Sequence, residues 1–298
     1  MKGVVVLMNR RQDYISIYGA FAVTIILWGS AFPFIKLALQ DFQATHLSAL
    51  RLVIASVILL LIGAIKRVPL PDIRDVPLLM LLGICGFAVY HTALSIGEYY
   101  VSAGIASLLV STTPIFSALL ATTFLQATFS KFAWLGSIIA FSGIALISLG
   151  DSEQLKAYLI GIILILLASF GESIYFSFQQ PLLEKYGFMS LTVYTMFAGV
   201  LAMLVWLPGS LHDLQTAHVH TVLAVLYLAI GPTVIPYLAL AYTIQKVGVS
   251  DATISLYLTP VVSLVFAYLM LGEIPTIFAI IGGLVTLIGV GITVLHDK

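Results

Sequence analysis

Charge is scarce in this chain. Of 298 residues, 13 are Lys or Arg and 13 are Asp or Glu, which makes 9% charged where a soluble domain carries about 25%. Apolar residues supply 61% of the chain and mean hydropathy is +1.12, more than a globule of this length can bury, so an ordinary soluble fold is excluded. Net charge is zero, so no nucleic-acid partner is implied. The one cysteine, Cys85, excludes an intrachain disulfide. There is no H-E-x-x-H, no G-x-S-x-G and no paired intramembrane acid, so no catalytic residue is expected. His212, His218 and His220 include an H-x-H, but without a Cys or a firm carboxylate set they read as a solvated loop; no metal and no cofactor is expected. Residues 3–8 form an apolar stretch too short for a signal-peptide core, so the first long helix is expected to stay uncleaved.

Long apolar runs are abundant. A helix needs about 20 mainly apolar residues to cross about 30 Å of hydrocarbon. Polar, Gly and Pro punctuation divides the chain into ten such segments, near 16–39, 45–65, 76–96, 101–125, 131–149, 157–178, 190–208, 219–241, 249–271 and 275–295. With a cytoplasmic N-terminus, Lys2, Arg10, Arg11, Lys66, Arg67, Arg74, Lys131, Lys185, Lys246 and Lys298 fall on the inner side, and Lys156 alone falls outside. That asymmetry places the chain in the cytoplasmic membrane as a multi-pass protein with both termini inside.

The two halves repeat one another. "STTPIFSALLATTFL" (111–125) aligns with "YLTPVVSLVFAYLML" (257–271), setting Thr113 on Thr259 and Pro114 on Pro260. The same ungapped register sets Leu125 on Leu271, Gly136 on Gly282 and Gly143 on Gly289. Five spans per repeat is odd, so residues 1–150 and 151–298 must face opposite ways across the bilayer. The expected fold is therefore an all-α integral membrane protein, ten transmembrane helices in two inverted five-helix repeats around a central cavity.

"WGSAFPFIK" in the first segment, the "TP" of the fourth and ninth, and the duplication over the whole chain resemble EamA-type members of the drug/metabolite transporter superfamily. The resemblance implies a cavity lined by segments 1, 3, 4, 6, 8 and 9, and export or uptake of small metabolites. One departure is visible: "LGE" at 271–273 has "LQA" at 125–127 as its counterpart. Glu273 reads as a cap or flank of the tenth helix.

The candidate solute-binding residues follow from helical spacing and from polarity in lipid. Trp28, Phe32 and Lys36 recur every fourth residue, a single stripe beside Ser30. Pro33 lacks the N–H that would serve the carbonyl of Gly29 and marks a hinge. Lys36 could instead snorkel to the outer surface. Glu172 lies deep in the sixth segment, where an acid costs roughly 2.5–3.5 kcal/mol and usually marks a pathway. It shares a face with Tyr175, Phe176 and Gln179. Arg51 reads as a structural ion-pair partner, with carboxylate binding as the alternative. His91 is an intramembrane titratable group; Tyr90 beside it points elsewhere, and Glu98, Tyr99 and Tyr100 read as an interfacial belt. Ser107, Ser111 and Pro114 match Thr253, Tyr257 and Pro260 as two hydroxyl-bearing, kinked stripes. Pro232 and Pro236 suggest another hinge beside Tyr237. The glycines at 136, 143, 282 and 289 read as packing positions.

These residues fit a secondary transporter moving a small organic solute, an amino acid or related amphipathic molecule, outward by alternating access. Uptake of a nucleobase, cofactor or organic acid is the alternative; a scaffold or intramembrane enzyme is the rival of another class. The partners are the small-molecule substrate and the lipid bilayer, with room for a homodimer.

Overall fold

The computed structural model describes residues 2–125, 130–149, 155–247 and 258–295, whose regular elements are all helices, with no strand among them. The first half comprises α1 (Lys2–Ala38), α2 (Ala44–Ile65), α3 (Val76–Gly83), a π-helical turn (Ile84–Val89), α4 (Tyr90–Gly97), α5 (Ala103–Val110), α6 (Thr113–Phe124) and α7 (Lys131–Ser148). The second half comprises α8 (Leu155–Phe178), α9 (Gln180–Met203), a 3-10 turn (Leu204–Trp206), α10 (Leu207–Thr216), α11 (Val219–Val247), α12 (Thr259–Leu271) and α13 (Ile277–Leu295). Eight helical stretches are long and apolar enough to cross a membrane, and two shorter apolar helices, Thr259–Leu271 and Ile277–Thr293, follow them. Eight of the expected segments coincide with the eight long stretches, except that the seventh is longer: helix runs from Gln180 to Thr216. It is broken at Gly187, whose φ of 75° is a conformation that suits a residue without Cβ. The tenth falls on Ile277–Thr293, and the ninth, expected at 249–271, is described only from residue 258.

The fourth segment is also two helices. α5 stops at Val110, and Ser111 and Thr112 turn the chain into α6, with Pro114 in its first turn, a position where proline is common. Here and in α11 proline leaves a carbonyl without its helical partner, and side chains make good the loss. Pro236 leaves the carbonyl of Pro232 unserved, and the Trp28 indole N–H donates to it at 3.0 Å. Pro232 leaves Leu228 O, which takes the Thr233 hydroxyl at 2.7 Å. Pro114 leaves Val110 O, which takes the Thr113 hydroxyl at 2.8 Å. This is how broken helices stay satisfied where water is absent.

α1 packs on α11 and α12, α8 on α4 and α6, α2 on α9 and α11, α3 on α9, and α7 on α13. The α7–α13 contact is backbone to backbone: a Cβ on Gly136 would stand 2.6 Å from Gly289 O, and one on Gly282 would stand 2.6 Å from Gly143 O. Thr286 and Thr293 add hydroxyl bonds to Ala140 O and Ala133 O, at 3.3 and 3.2 Å.

The connections gather at two ends. At one, Asp41 accepts from the Thr221 hydroxyl and the His218 N–H, and His46 pairs with Asp213 at 2.7 Å. The Ala103 N–H donates to Glu273 there at 3.0 Å. Glu273 thus caps α5 rather than the last helix, a bond between distant parts of the chain that sequence neighbours could not reveal. At the other end Lys185 pairs with Asp72 and Asp75, and Tyr186 donates to Asp75. Proximity to Lys185 holds the Asp75 carboxyl below its usual range.

Candidate solute-binding cavity

One cavity of about 360 Å³ runs through the middle of the bundle. Its wall begins at Arg51, His91 and Leu94, beneath the Asp41 end, and extends to Leu125 and Gln180 near the Lys185 end. Above it, buried Ile35, Phe42, Leu47, Leu94 and Val101 belong to one apolar cluster that fills the Asp41 end.

Glu172 faces this space from α8 and is 4% exposed. Thr113 Oγ1 lies 3.0 Å from its Oε2, so the carboxyl sits against the first turn of α6. Arg51 faces the same space from α2 and is 3% exposed. Its Nε donates to the Thr233 hydroxyl, which fixes the guanidinium against α11. No carboxylate of the described residues lies within ion-pair distance of it. The expected structural ion pair of Arg51 with an acid is therefore absent among the described residues. Both charges are left to face the cavity.

Trp28, Phe32, Tyr90 and Phe176 supply the aromatic wall, and His91, Ser107, Ser111, Ser117 and Thr259 supply polar atoms. Both ring nitrogens of His91, the Ser117 hydroxyl and the Thr259 hydroxyl are buried without a hydrogen-bond partner. Buried polar groups are rarely left so, and four of them on one cavity wall mark a surface that a polar solute or water completes.

Of the expected residues, Trp28, Phe32, His91, Ser111 and Glu172 meet at this wall with Pro114 and Pro260. Tyr175 and Tyr237 do not line it. They form a second layer, each 2% exposed, with Tyr237 5.4 Å from the Trp28 ring and 6.2 Å from that of Tyr175. Ser30 is turned away toward α11, bonding the Tyr227 hydroxyl at 2.6 Å. Lys36 is absent from the wall and lies within electrostatic reach of Glu98. Pro33, Pro232 and Pro236 are buried inside α1 and α11, which continue as helices through them. Tyr257 and Thr253 lie outside the described residues.

Three further sequence readings are corrected. Tyr90 is a cavity residue, and Glu98 is fully buried rather than part of an interfacial belt. Gln180, not Gln179, reaches the wall, because the helix breaks at Gln179 and the α8 periodicity ends there. Thr113 was visible only as half of a repeated "TP"; its position one helical step from a proline-freed carbonyl was the available signal.

A helical bundle of this hydropathy with a polar-lined internal cavity defines a membrane transporter. Residues 15–149 and 159–295 each match the EamA-like transporter family, and the chain belongs to it. An uncharacterized transporter of Bacillus subtilis, YdfC, is 45% identical over 96% of this chain and 93% of its own. A probable terminal-alkyne amino-acid exporter of Streptantibioticus cattleyicolor is 36% identical over 91% of each. The uncharacterized inner membrane transporter YedA of Escherichia coli is 26% identical over 89% of this chain. A solved crystal structure shares the fold with a TM-score of 0.62 at 17% identity, over 95% of this chain and 98% of that one.

Proposed function

We propose that this protein is a secondary transporter that exports an amino acid, or a closely related amphipathic solute, across the cytoplasmic membrane by alternating access. One observation carries the reading: a single cavity presents a guanidinium and a carboxyl that do not pair with each other, on an aromatic wall. A zwitterion with an apolar side chain answers all three. Its carboxylate matches the Arg51 fork, its ammonium goes to Glu172 or the aromatic faces, and its side chain covers Trp28, Phe32 and Phe176. The amino-acid exporter among the relatives supports the same solute class.

Ten spans in two inverted repeats, 1–150 and 151–298, supply the mechanism. Two family matches in tandem support the division. So does the packing: exchanging each span for its counterpart turns the α1–α11 contact into α8 on α4, and the α1–α12 contact into α8 on α6, both of which occur. Two near-equivalent halves have two near-equivalent packings, one open to each side. The loop cations put the Lys185 end in the cytoplasm, so the cavity, which reaches that end, is the inward-facing form. Pro33, Pro114, Pro232, Pro236 and Pro260 are the hinges, three inside continuous helices and two at helix starts.

The test is labelled amino-acid flux in proteoliposomes. Wild type is expected to show saturable flux, strongest for apolar and aromatic amino acids. Glu172→Gln should lower it at least tenfold at unchanged expression and thermal stability. Flux that survives in Glu172→Gln would make that acid structural. Flux of organic acids but of no amino acid would replace the solute class.

A further inference from the structure

Glu98 follows the last residue of α4 and has no accessible surface. Neither of its carboxyl oxygens has a hydrogen-bond partner among the described residues. The charged groups that face it come from three other elements: Lys36 on α1, Arg51 on α2 and Glu273 after α12. None of them is within ion-pair distance. From α8, Gly161 and Ile165 pack on the adjoining Gly97 and carry no polar side chain, and buried Tyr158, one turn away, donates its hydroxyl to Ile147 O. Along the chain the titratable groups are Tyr90 and His91 on α4 and Tyr99 and Tyr100 just after it. His91, Ser95 and Glu98 fall at i, i+4 and i+7, one stripe leading from the cavity wall to the filled end.

An ionised carboxylate in this place would have neither a hydrogen bond nor a paired charge, an arrangement that costs far more than burying the neutral acid. A carboxylic acid fits the same space. Glu98 also lies five residues before Ala103, whose N–H holds Glu273 and so ties the two repeats at this end.

We propose that Glu98 is a proton-binding site that couples closure of the Asp41 end to uptake of one proton. When this end opens, water reaches the carboxyl, the O–H bond breaks, the proton passes to water and the carboxylate is left beside Lys36. Closure reverses the step: the carboxylate takes a proton from water and is buried neutral. The inference rests on the alternating-access reading, and assigns the coupling acid within it to a residue outside the solute-lined wall.

Infrared difference spectra of the full chain in liposomes at neutral pH test the protonation state. Wild type minus Glu98→Gln should lose the carbonyl stretch of a protonated carboxylic acid, and Glu172→Gln should retain it. No loss in Glu98→Gln would mean that the buried group is ionised, which overturns the proposal. Closure is read by spin labels at Tyr100→Cys and Ile274→Cys, which flank the Ala103–Glu273 contact, in a Cys85→Ser background. Their separation should grow with rising pH in wild type and stay at its closed value in Glu98→Gln. A separation indifferent to pH in wild type, or one that follows pH equally in both, overturns the coupling. If Glu98→Gln does not fold, Glu98→Asp should shift the infrared band and the pH of the transition; an unshifted pair refutes the assignment. Neither readout uses a solute, so absence of amino-acid flux would count against the proposed function alone.

Discussion

Arg51 reaches across the bundle to Thr233, and Thr233 serves the carbonyl that Pro232 left without its helical partner. The side chain that presents a cation to the cavity is therefore held by a helix defect. Thr233→Val keeps the shape and removes both bonds, at an expected cost of about 1–3 kcal/mol because buried groups are left unserved. Thermal unfolding in detergent reads the cost. The half-saturation concentration should rise for amino acids and not for amines without a carboxylate, and Thr233→Ser should restore both. Asp41 gives a residue-scale prediction in pH. The Thr221 hydroxyl, then the His218 N–H, pull its carboxyl from 3.8 down to about 2. A depressed carboxyl adds stability that is complete above its ordinary range and is lost as pH falls through its folded value. Wild type should thus lose thermal stability between about pH 4 and about pH 2, and Asp41→Asn should lose less over that window. Residues of this kind were legible unevenly. Glu172 stood out because an acid in an apolar run must face protein or water. Glu98 did not, because closeness to a segment end looked like access to water, and burial there depends on a loop that arrives from the other repeat.

Helix pairs carry the next level. α7 and α13 meet through glycine backbones, and the Gly136 and Gly143 positions that match Gly282 and Gly289 in the repeat are the ones in contact. Gly136→Val would push a branched side chain into Gly289 O and should destabilise by about 1–3 kcal/mol or more. Gly291→Ala in α13, where a Cβ would meet nothing within 4 Å, should leave the melting temperature unchanged. The contrast separates packing from general intolerance of substitution. Apart from the seventh segment, which begins at Gln180 and ends at Thr216, the boundaries of the long spans were readable to within a few residues, because lipid demands a minimum apolar length. Angular position was harder. The third segment is widened by six π-helical residues, Ile84–Val89, immediately before Tyr90, so counting faces at 3.6 residues per turn fails just where the cavity begins. The wall accepts both Tyr90 and His91, although neighbours on an α-helix point about 100° apart.

At the scale of the whole molecule the two ends are unequal. The Asp41 end is filled by Phe42, Leu47, Leu94 and Val101 and tied by Asp41, Asp213 and Glu273, while the cavity wall continues to Leu125, which is 50% exposed, and Gln180 at the other. Single cysteines at Leu125 and Gln180, in a Cys85→Ser background, should react with a membrane-impermeant maleimide from the cytoplasmic side, more slowly with transported amino acid present. A cysteine at Tyr99 should react from outside. Labelling with the sides exchanged would reverse the orientation read from the loop cations. The proline and glycine matches that share one register were legible, and they lie across the two stretches that each match the family. The route between the halves was not, since Ala103 and Glu273 are brought together only by the fold.

The Thr113 hydroxyl has one hydrogen and two acceptors, Val110 O and Glu172 Oε2. Whichever it serves, the other goes short. A solute ammonium seated on Glu172 would free that hydrogen for the backbone, and a departing solute would call it back. Occupancy of the cavity would thereby be written into the joint between α5 and α6 as the whereabouts of a single hydrogen atom.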